Sequence, residues 1–585
     1  MKNKNTILLL LAALIISSCN DSFLERYPTD ELSPQTVFSS ENDLKTYTNS
    51  YYSLLQEGSE IYGESTDNIV KSSLPREIQG TRLVPTTDSK WGWSGLRHIN
   101  FFLTNENVLN FPNEEVKNHY LGLSRFFRAF FYFEKVRYYG DVPWYNQVIE
   151  SNDDELLQKA RDPRSLVMDS VLTDLNFAIA HLDDTKSLER VSKWTALALK
   201  SRICLYEGTF RKYHPEFNVA DADKFLTEAA EAAQELINSG QYSIYNKTSG
   251  PTGKPYLDVF SHLKSDDVMD EIILTRRYDA DLGLKHNVQF YLTSRTYGKP
   301  GLEKNLVNSY LMSDGSRFTD VAGYDTLQFF DEIQNRDPRL SQTIVTPGYT
   351  RINSSQPVSP NFENTTTGYQ PIKYLNDPSM DLSSQSAQDL PLFRYAEVLV
   401  NFAEAKAELG TLTQADLDLS INQLRDRVGM PHLVLVDANA NPDPFLENMY
   451  KNVSATNKGV ILEIRRERQI ELVMELNFRW DDLMRWKEGH LVALPFQGMY
   501  FPGPGKYDLD RDGKIDVEIY MGEKPPSTGA FQLPLSDLSG NGKGYVLPNK
   551  GVNKVFDEEK DYFWPLPIED LTLNPNLTQN PGWGK

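Results

Sequence analysis

Helix-length segments that come in adjacent pairs constrain this chain more than any other feature. Segments 164–181 and 191–209, and again 391–409 and 413–428, are predicted helices joined by short links. Several carry small residues where two helices must approach closely, as in Ala403, Ala405 and Ala407 or Ala229, Ala230, Ala232 and Ala233. Stacked helical hairpins of tetratricopeptide type explain both features. The internal period is not a clean 34 residues, so an irregular all-helical bundle fits the same pattern. Other helices are predicted at 219–239 and 459–478. A long one at 116–139 uses Leu121, Leu123, Phe126, Phe127, Phe130, Phe131 and Val136 as its apolar side, and stops at Gly140-Asp141-Val142-Pro143. Ser40 is a candidate N-cap for a helix carrying Leu44, Tyr47, Tyr51, Tyr52 and Leu55. Strand-like runs are few and short, such as 271–275, while the middle and the C-terminal part are rich in Gly, Pro and Asn. The expected fold is mainly α, with long loop-rich insertions.

Composition removes whole classes of function. At 585 residues the chain exceeds the ~250–300 residues of a single core, which calls for several domains or a stacked architecture. A hydrophobic content of 40% excludes intrinsic disorder. With 81 acidic against 60 basic residues, a formal charge of −21 argues against nucleic acid, whose phosphates need a basic footprint. Two cysteines allow neither a disulfide scaffold nor a Cys-rich metal site. Cys204 sits in an apolar helical run and reads as an inert buried thiol.

The other cysteine lies at the N-terminus. Lys2 and Lys4 precede an apolar run from Ile7 to Ile16. As a helix that run spans only ~15 Å of a ~30 Å hydrocarbon core, so it is a signal-peptide h-region and not a membrane anchor. Ile16-Ser17-Ser18-Cys19 resembles a bacterial lipobox, in which cleavage before the cysteine precedes its diacylation. Two acyl chains give stable membrane anchoring where one does not. The plainer alternative is an ordinary secretory signal with an incidental cysteine. The expected organisation is a signal at 1–18, a lipidated tether at 19–40 and a globular part at 41–585.

Catalytic signatures are missing: the sequence has no HExxH, GxSxG, Walker A or GxGxxG-plus-helix pattern, and its histidines show no ligand spacing. Glu463, Glu467, Glu471 and Glu475 recur every four residues along one helix face. A like-charge row of this kind needs cations, for which Arg465, Arg466, Arg468 and Arg479 are close in sequence. The reading favoured over a catalytic carboxylate face is an Arg–Glu network tying helices together, with Trp480 and Trp486 as packing anchors. One metal motif stands out. Asp508, Asp510, Asp512, the Lys514 carbonyl and Asp516 match the first nine positions of a calcium loop, with Gly513 at the turn. Position twelve is Ile519 and Glu518 comes one residue early, so an isolated structural Ca2+ loop is expected and not an EF-hand. The alternative is an acidic surface turn without an ion.

For ligand binding, the aromatic residues outside helices matter most. Trp91 and Trp93 are two residues apart, and in an extended segment they project to one side as a flat platform suited to the C–H face of a sugar. Asn100 and Arg82 are near in sequence and offer amide and guanidinium hydrogen bonds. A loop from Arg276 to Pro300 adds Tyr278, Phe290, Tyr291 and Tyr297. The competing reading is that these rings pack a satellite core beneath long loops.

Six blocks carry a resemblance to a known family. They are GLSRFFRAFFYFEKVRYYGDVPW (122–144), RVSKWTALALKSRICLYEG (190–208), LPLFRYAEVLVNFAEAKAELG (390–410), INQLRDRVGMP (421–431), IRRERQIELVMELNFRWDDLMRWKEG (464–489) and DYFWPLPIEDLTLNPNLTQNPGW (561–583). In this order behind a lipobox, the chain resembles the RagB/SusD-like nutrient-uptake outer-membrane lipoproteins of Bacteroidetes. The resemblance implies one SusD-like domain over 41–585, with an N-terminal region at about 41–215 and a C-terminal region at about 260–585. It implies a lipid-anchored, surface-exposed, non-enzymatic protein of the outer membrane. Such a protein captures glycan, or in some members peptide, for a SusC-like TonB-dependent transporter. It also implies that Trp93, Asn100 and the 276–300 segment contact ligand. A glycan-active hydrolase is the alternative from another class, because sequence does not exclude a carboxylate pair at glycosidase distance.

Overall fold

The computed structural model describes Phe38 and residues 40–106, 113–453 and 456–584. The signal at 1–18, Cys19 and most of the expected tether lie outside the described residues. Ser40 caps helix α1 (Glu41–Asn49) by accepting the Asp43 N–H. Helix α2 (Ser94–Thr104) precedes the long α3 (Glu114–Tyr139), which Asn113 caps and Gly140 ends at a φ of 72°. Next come α4 (Arg164–His181), α5 (Lys193–Tyr213) and α6 (Ala222–Asn238). Further along are the short α7 (Val288–Thr293), α8 (Tyr395–Glu408), α9 (Gln414–Asp418), α10 (Ile421–Val428), α11 (Lys458–Glu471) and α12 (Phe478–Arg485). The architecture is mainly helical with small sheets, the class expected from sequence. Among the described residues no helix is long and apolar enough to cross a membrane.

Helix pairing differs from the pairing that link length suggested. The most extensive helix contacts are α3 with α4 and α5 with α6, while α4 on α5 is the smaller seam between those pairs. A glycine decides the second pair. A Cβ at Gly208 in α5 would stand 2.7 Å from Leu226 Cγ and 2.9 Å from the Leu226 backbone nitrogen, so only glycine admits α6 this closely. The buried Ala229, Ala230, Ala232 and Ala233 extend the close approach. Helix α8 then packs mainly on α6 and on α11. The predicted partner of α8, segment 413–428, breaks at Ser420 into α9 and α10 and makes few contacts with it. The predicted 459–478 helix likewise ends at Glu471, because Met474, Leu476 and Asn477 turn the chain with positive φ.

Short strands join distant parts of the chain. Strand β1 (Ile69–Val70) pairs antiparallel with β3 (Gly301–Leu302), and β2 (Ile272–Arg276) with β4 (Leu390–Arg394). Near the C-terminus β6 (Val517–Tyr520) lies between β5 (Gly505–Tyr507), antiparallel, and β7 (Phe531–Pro534), parallel.

The glutamate row on α11 and its continuation is buried and answered, mostly by cations from other segments. Glu471 accepts Arg427 Nη2 at 2.6 and 2.7 Å, Arg394 Nη1 at 2.9 Å and Arg339 Nη1 at 3.4 Å. Glu467 takes Arg425 at 2.6 Å and Arg339 at 2.9 Å, and Glu475 takes Lys373 at 2.6 Å and Arg394 at 2.7 Å. Only Glu463 uses one of the neighbouring arginines, Arg466, at 2.7 Å. Arg468 and Arg479 instead pair with Asp482 and Asp67, while Arg465 faces Glu488 at 3.5 Å. Burial alone would raise the Glu467 and Glu471 carboxyls, but the arginines hold both below the ordinary range. Trp486, fully buried, donates its indole N–H to Glu404 at 2.7 Å, and Trp480 is buried in the same apolar cluster. Glu471→Ala strands Arg394 and Arg427 in the core and is expected to lower unfolding free energy by about 3–5 kcal/mol in denaturant titration; a loss below about 1 kcal/mol would show that the freed guanidiniums rehydrate.

Candidate functional site

The tryptophan platform expected from sequence does not form. Residues Ser89–Trp91 make a 3-10 turn and Trp93 is the N-cap of α2, so the segment is not extended and residues two apart do not share a side. The two indoles stand at 88° with centroids 5.3 Å apart. Trp91 is 3% exposed and packs edge-on to Tyr139 at 4.8 Å. Trp93 is half-buried against Phe131 and Tyr145, with the Lys135 ammonium 5.3 Å from its ring.

Asn100 and Arg82 are also structural. Asn100 is 1% exposed, and its amide donates to the Tyr145 and Gln147 carbonyls at 3.0 and 3.1 Å. It fastens the loop after α3 to α2 and leaves nothing for a ligand. Arg82 is 7% exposed, bonds Asp561 at 2.8 Å and lies between the rings of Trp564 and Trp583, each 5.2 Å away. That contact clamps the C-terminal segment onto the domain. Sequence proximity misled because the partners of both residues lie far along the chain.

The 276–300 loop does assemble its aromatics. Tyr278 stands 4.3 Å from His286, His286 6.1 Å from Tyr62, Tyr62 5.6 Å from Tyr291, and Tyr291 5.9 Å from Tyr297. Most of this chain of rings is core. Tyr278 and Tyr291 are buried, and the Tyr278 hydroxyl accepts the Gly58 N–H at 3.1 Å. Only its end reaches solvent: Phe290 on α7 is half-buried and stacks at 17° and 5.4 Å on Tyr297, which is 39% exposed. Stacked rings with an outer face and a phenol hydroxyl offer both an apolar surface and a hydrogen-bonding group. Charged residues not singled out from the sequence adjoin Tyr297 along the chain, with Arg295 two residues before it. Arg295 pairs with Glu363 at 2.8 Å, and Lys299 lies two residues beyond Tyr297.

The acidic motif forms the tip of the β5–β6 hairpin, so strands flank it and not EF-hand helices. Asp508, Asp510 and Asp516 bring ligand oxygens within 4.8 Å of one another. Burial, followed by repulsion from Asp510 and Asp508, pushes the Asp516 carboxyl up to about 6. Asp512 does not join them: it is exposed and its carboxylate accepts the Lys514 backbone N–H and ammonium at 2.8 and 2.6 Å. Ile519 is buried in β6 opposite Gly505, which explains the missing twelfth ligand. Ser359 donates to Asp510 at 2.5 Å and Arg511 reaches Asp331 at 2.7 Å, so the tip ties down two other segments. The donor set of three carboxylates fits a hard divalent cation.

Comparison with known proteins places the chain. Residues 271–583 match the model of the SusD family, and 22–205 match a second model described as starch-binding associating with outer membrane. The protein belongs to the SusD family. It is 25% identical over 534 residues to SusD-like protein P38 of Formosa agariphila, covering 84% of this chain and 93% of that one. Its fold resembles that of a SusD-like carbohydrate binding protein from Bacteroides fragilis, with a TM-score of 0.65 and 21% identity over 93% of this chain and 100% of that one. It also resembles a structure determined with xylogluco-oligosaccharide, with a TM-score of 0.57 and 15% identity over 91% and 97% of the two chains.

Asn100→Ala orphans two loop carbonyls and is expected to destabilise the ligand-free protein by about 1–3 kcal/mol in thermal or denaturant unfolding. Unchanged stability would show that the two carbonyls find other donors and that Asn100 does not fasten the loop.

Proposed function

We propose that this protein is a surface glycan-binding lipoprotein, anchored by acyl chains on Cys19, that captures oligo- or polysaccharide and delivers it to a SusC-like TonB-dependent transporter in the outer membrane. It acts without catalysis. The observation that carries the reading is the Phe290–Tyr297 stack, the solvent end of the aromatic chain in the 276–300 loop. Family membership and the carbohydrate-binding and oligosaccharide-bound relatives support it. A stack of two partly exposed rings gives weak binding, which suits a carrier that must release its cargo.

Affinity gel electrophoresis against a polysaccharide panel tests this reading. Retardation by at least one glycan is expected, with a loss of about 10-fold or more in affinity for Tyr297→Ala, since aromatic contact contributes about 1–3 kcal/mol. No sugar is expected to be released from the retained polymer. Retention of peptide alone, or retardation indifferent to Tyr297, counts against it.

Asp508, Asp510 and Asp516 are proposed to hold one calcium ion that stiffens the β5–β6 tip without touching ligand. Calorimetric titration of the chelator-treated protein is expected to show calcium binding that Asp510→Asn abolishes. No heat down to millimolar affinity refutes the site.

A further inference from the structure

The ring stack lies in a loop whose other side chains bear on the chemistry of the cargo. Residues 295–299 read Arg-Thr-Tyr-Gly-Lys, placing a cation on each side of Tyr297. Arg295 is the more open of the two, its side chain 71% exposed, and its one ion-pair partner is Glu363, itself 40% exposed at 2.8 Å. An ion pair this exposed contributes little, so the guanidinium can exchange Glu363 for another oxyanion at small loss. Its planar fork then matches a carboxylate or sulfate with two parallel hydrogen bonds. The half-buried Lys299 side chain has neither a hydrogen bond nor an ion pair among the described residues; burial holds its ammonium below the ordinary lysine range, and nearby Glu363 offsets part of that. The 295–299 segment therefore carries two cations, answered by Glu363 from another segment, in a chain whose formal charge is −21.

The loop is also held in a conformation that its sequence does not favour. Gly298 and Lys299 both adopt positive φ, 75° and 49°. For lysine the left-handed region costs about 1–2 kcal/mol. Three contacts hold it there: the Ser72 N–H and hydroxyl on the Gly298 carbonyl at 2.9 and 3.1 Å, and the Thr366 N–H on the Lys299 carbonyl at 3.2 Å. Behind it, a Cβ at position 298 would collide with the Tyr291 ring at 2.4 Å, so the turn and the ring chain fix one another. Strain of this kind persists only where the surrounding structure over-determines it, so the segment holds one conformation.

We propose that the glycan received at the Phe290–Tyr297 stack is anionic, with a carboxylate or sulfate on the sugar docked against the ring held between Arg295 and Lys299. This rests on the glycan-capture reading and adds the charge class of the cargo. The negative charge of the whole protein repels polyanions, so retention of one reports a local site and not general attraction.

The test pairs polymers that differ only in charge. De-esterified homogalacturonan is run against its fully methyl-esterified form, and carrageenan against its desulfated form, in affinity electrophoresis at low and high salt. Retention of at least one charged form is expected, weakened about 10-fold or more by neutralising or esterifying it and by the double variant Arg295→Gln/Lys299→Gln. Retention should fall with salt and weaken about 10-fold or more in Tyr297→Ala, while the double variant stays folded with a melting temperature close to that of the wild type, because neither charged side chain holds a buried partner. Retention of homogalacturonan alone assigns the carboxylate, and of carrageenan alone the sulfate. Equal, Tyr297-dependent retention of charged and neutral forms overturns the charge assignment and leaves glycan capture standing. Charged binding that survives Tyr297→Ala or the double variant undiminished overturns the site. Retention of none of the four polymers overturns the inference, and only if the wider panel also fails does glycan capture fall with it.

Discussion

Burial of arginines against carboxylates is the constraint on which this structure depends. Arg394 alone, on the strand that leads into α8, binds Glu271 from the edge of β2 and Glu471 and Glu475 beyond it. Arg427 from α10 reaches Glu271 and Glu471 from another direction, and Arg339 joins Glu467 to Asp337. Each ion is stripped of water, and only the full set of partners offsets that desolvation. The elements carrying these charges therefore cannot slide past one another without leaving a charge unanswered. That fixes the register between the helical stack and strands β2 and β4.

The strands in turn position the loop that presents the rings. The Tyr278 N–H binds Asp389 at 3.0 Å just beyond the β2–β4 pair, and His286 binds the Gln388 carbonyl at 2.9 Å. From there the row of aromatics runs outward to Tyr297. A rigid charged core thus holds an aromatic chain of which only the last stack meets solvent. Binding chemistry sits at the end of a structural element and not on a separate appendage.

Which parts were legible depended on the range of the interactions involved. The Ser40 cap, the Gly140 stop and most helices are local, set by periodicity and by groups a few residues apart, and they appear where the sequence placed them, while the helices expected through Leu55, over 413–428 and over 459–478 end early or break. Helix partners were less legible: link length suggested α4 with α5, but the glycine and alanine contacts that join α5 to α6 depend on which faces meet. The reading of Trp91 and Trp93 assumed an extended backbone, and one 3-10 turn was enough to set the indoles at right angles. Nothing local marks Arg295 and Glu363 as partners, because their pairing spans 68 residues.

The sequence by itself determined the family, the helical class, the structural role of the glutamate row and the loop in which aromatics gather. Repeated helical blocks, charge spacing and composition carry that information locally. Only the tertiary structure decided which candidates are exposed. It buried Trp91, Asn100 and Arg82, left Phe290 and Tyr297 at the surface, and separated Asp512 from the three aspartates that converge. The reason is physical: exposure and convergence depend on contacts between residues far apart in sequence, such as the 479 positions between Arg82 and Asp561, and no local pattern encodes them.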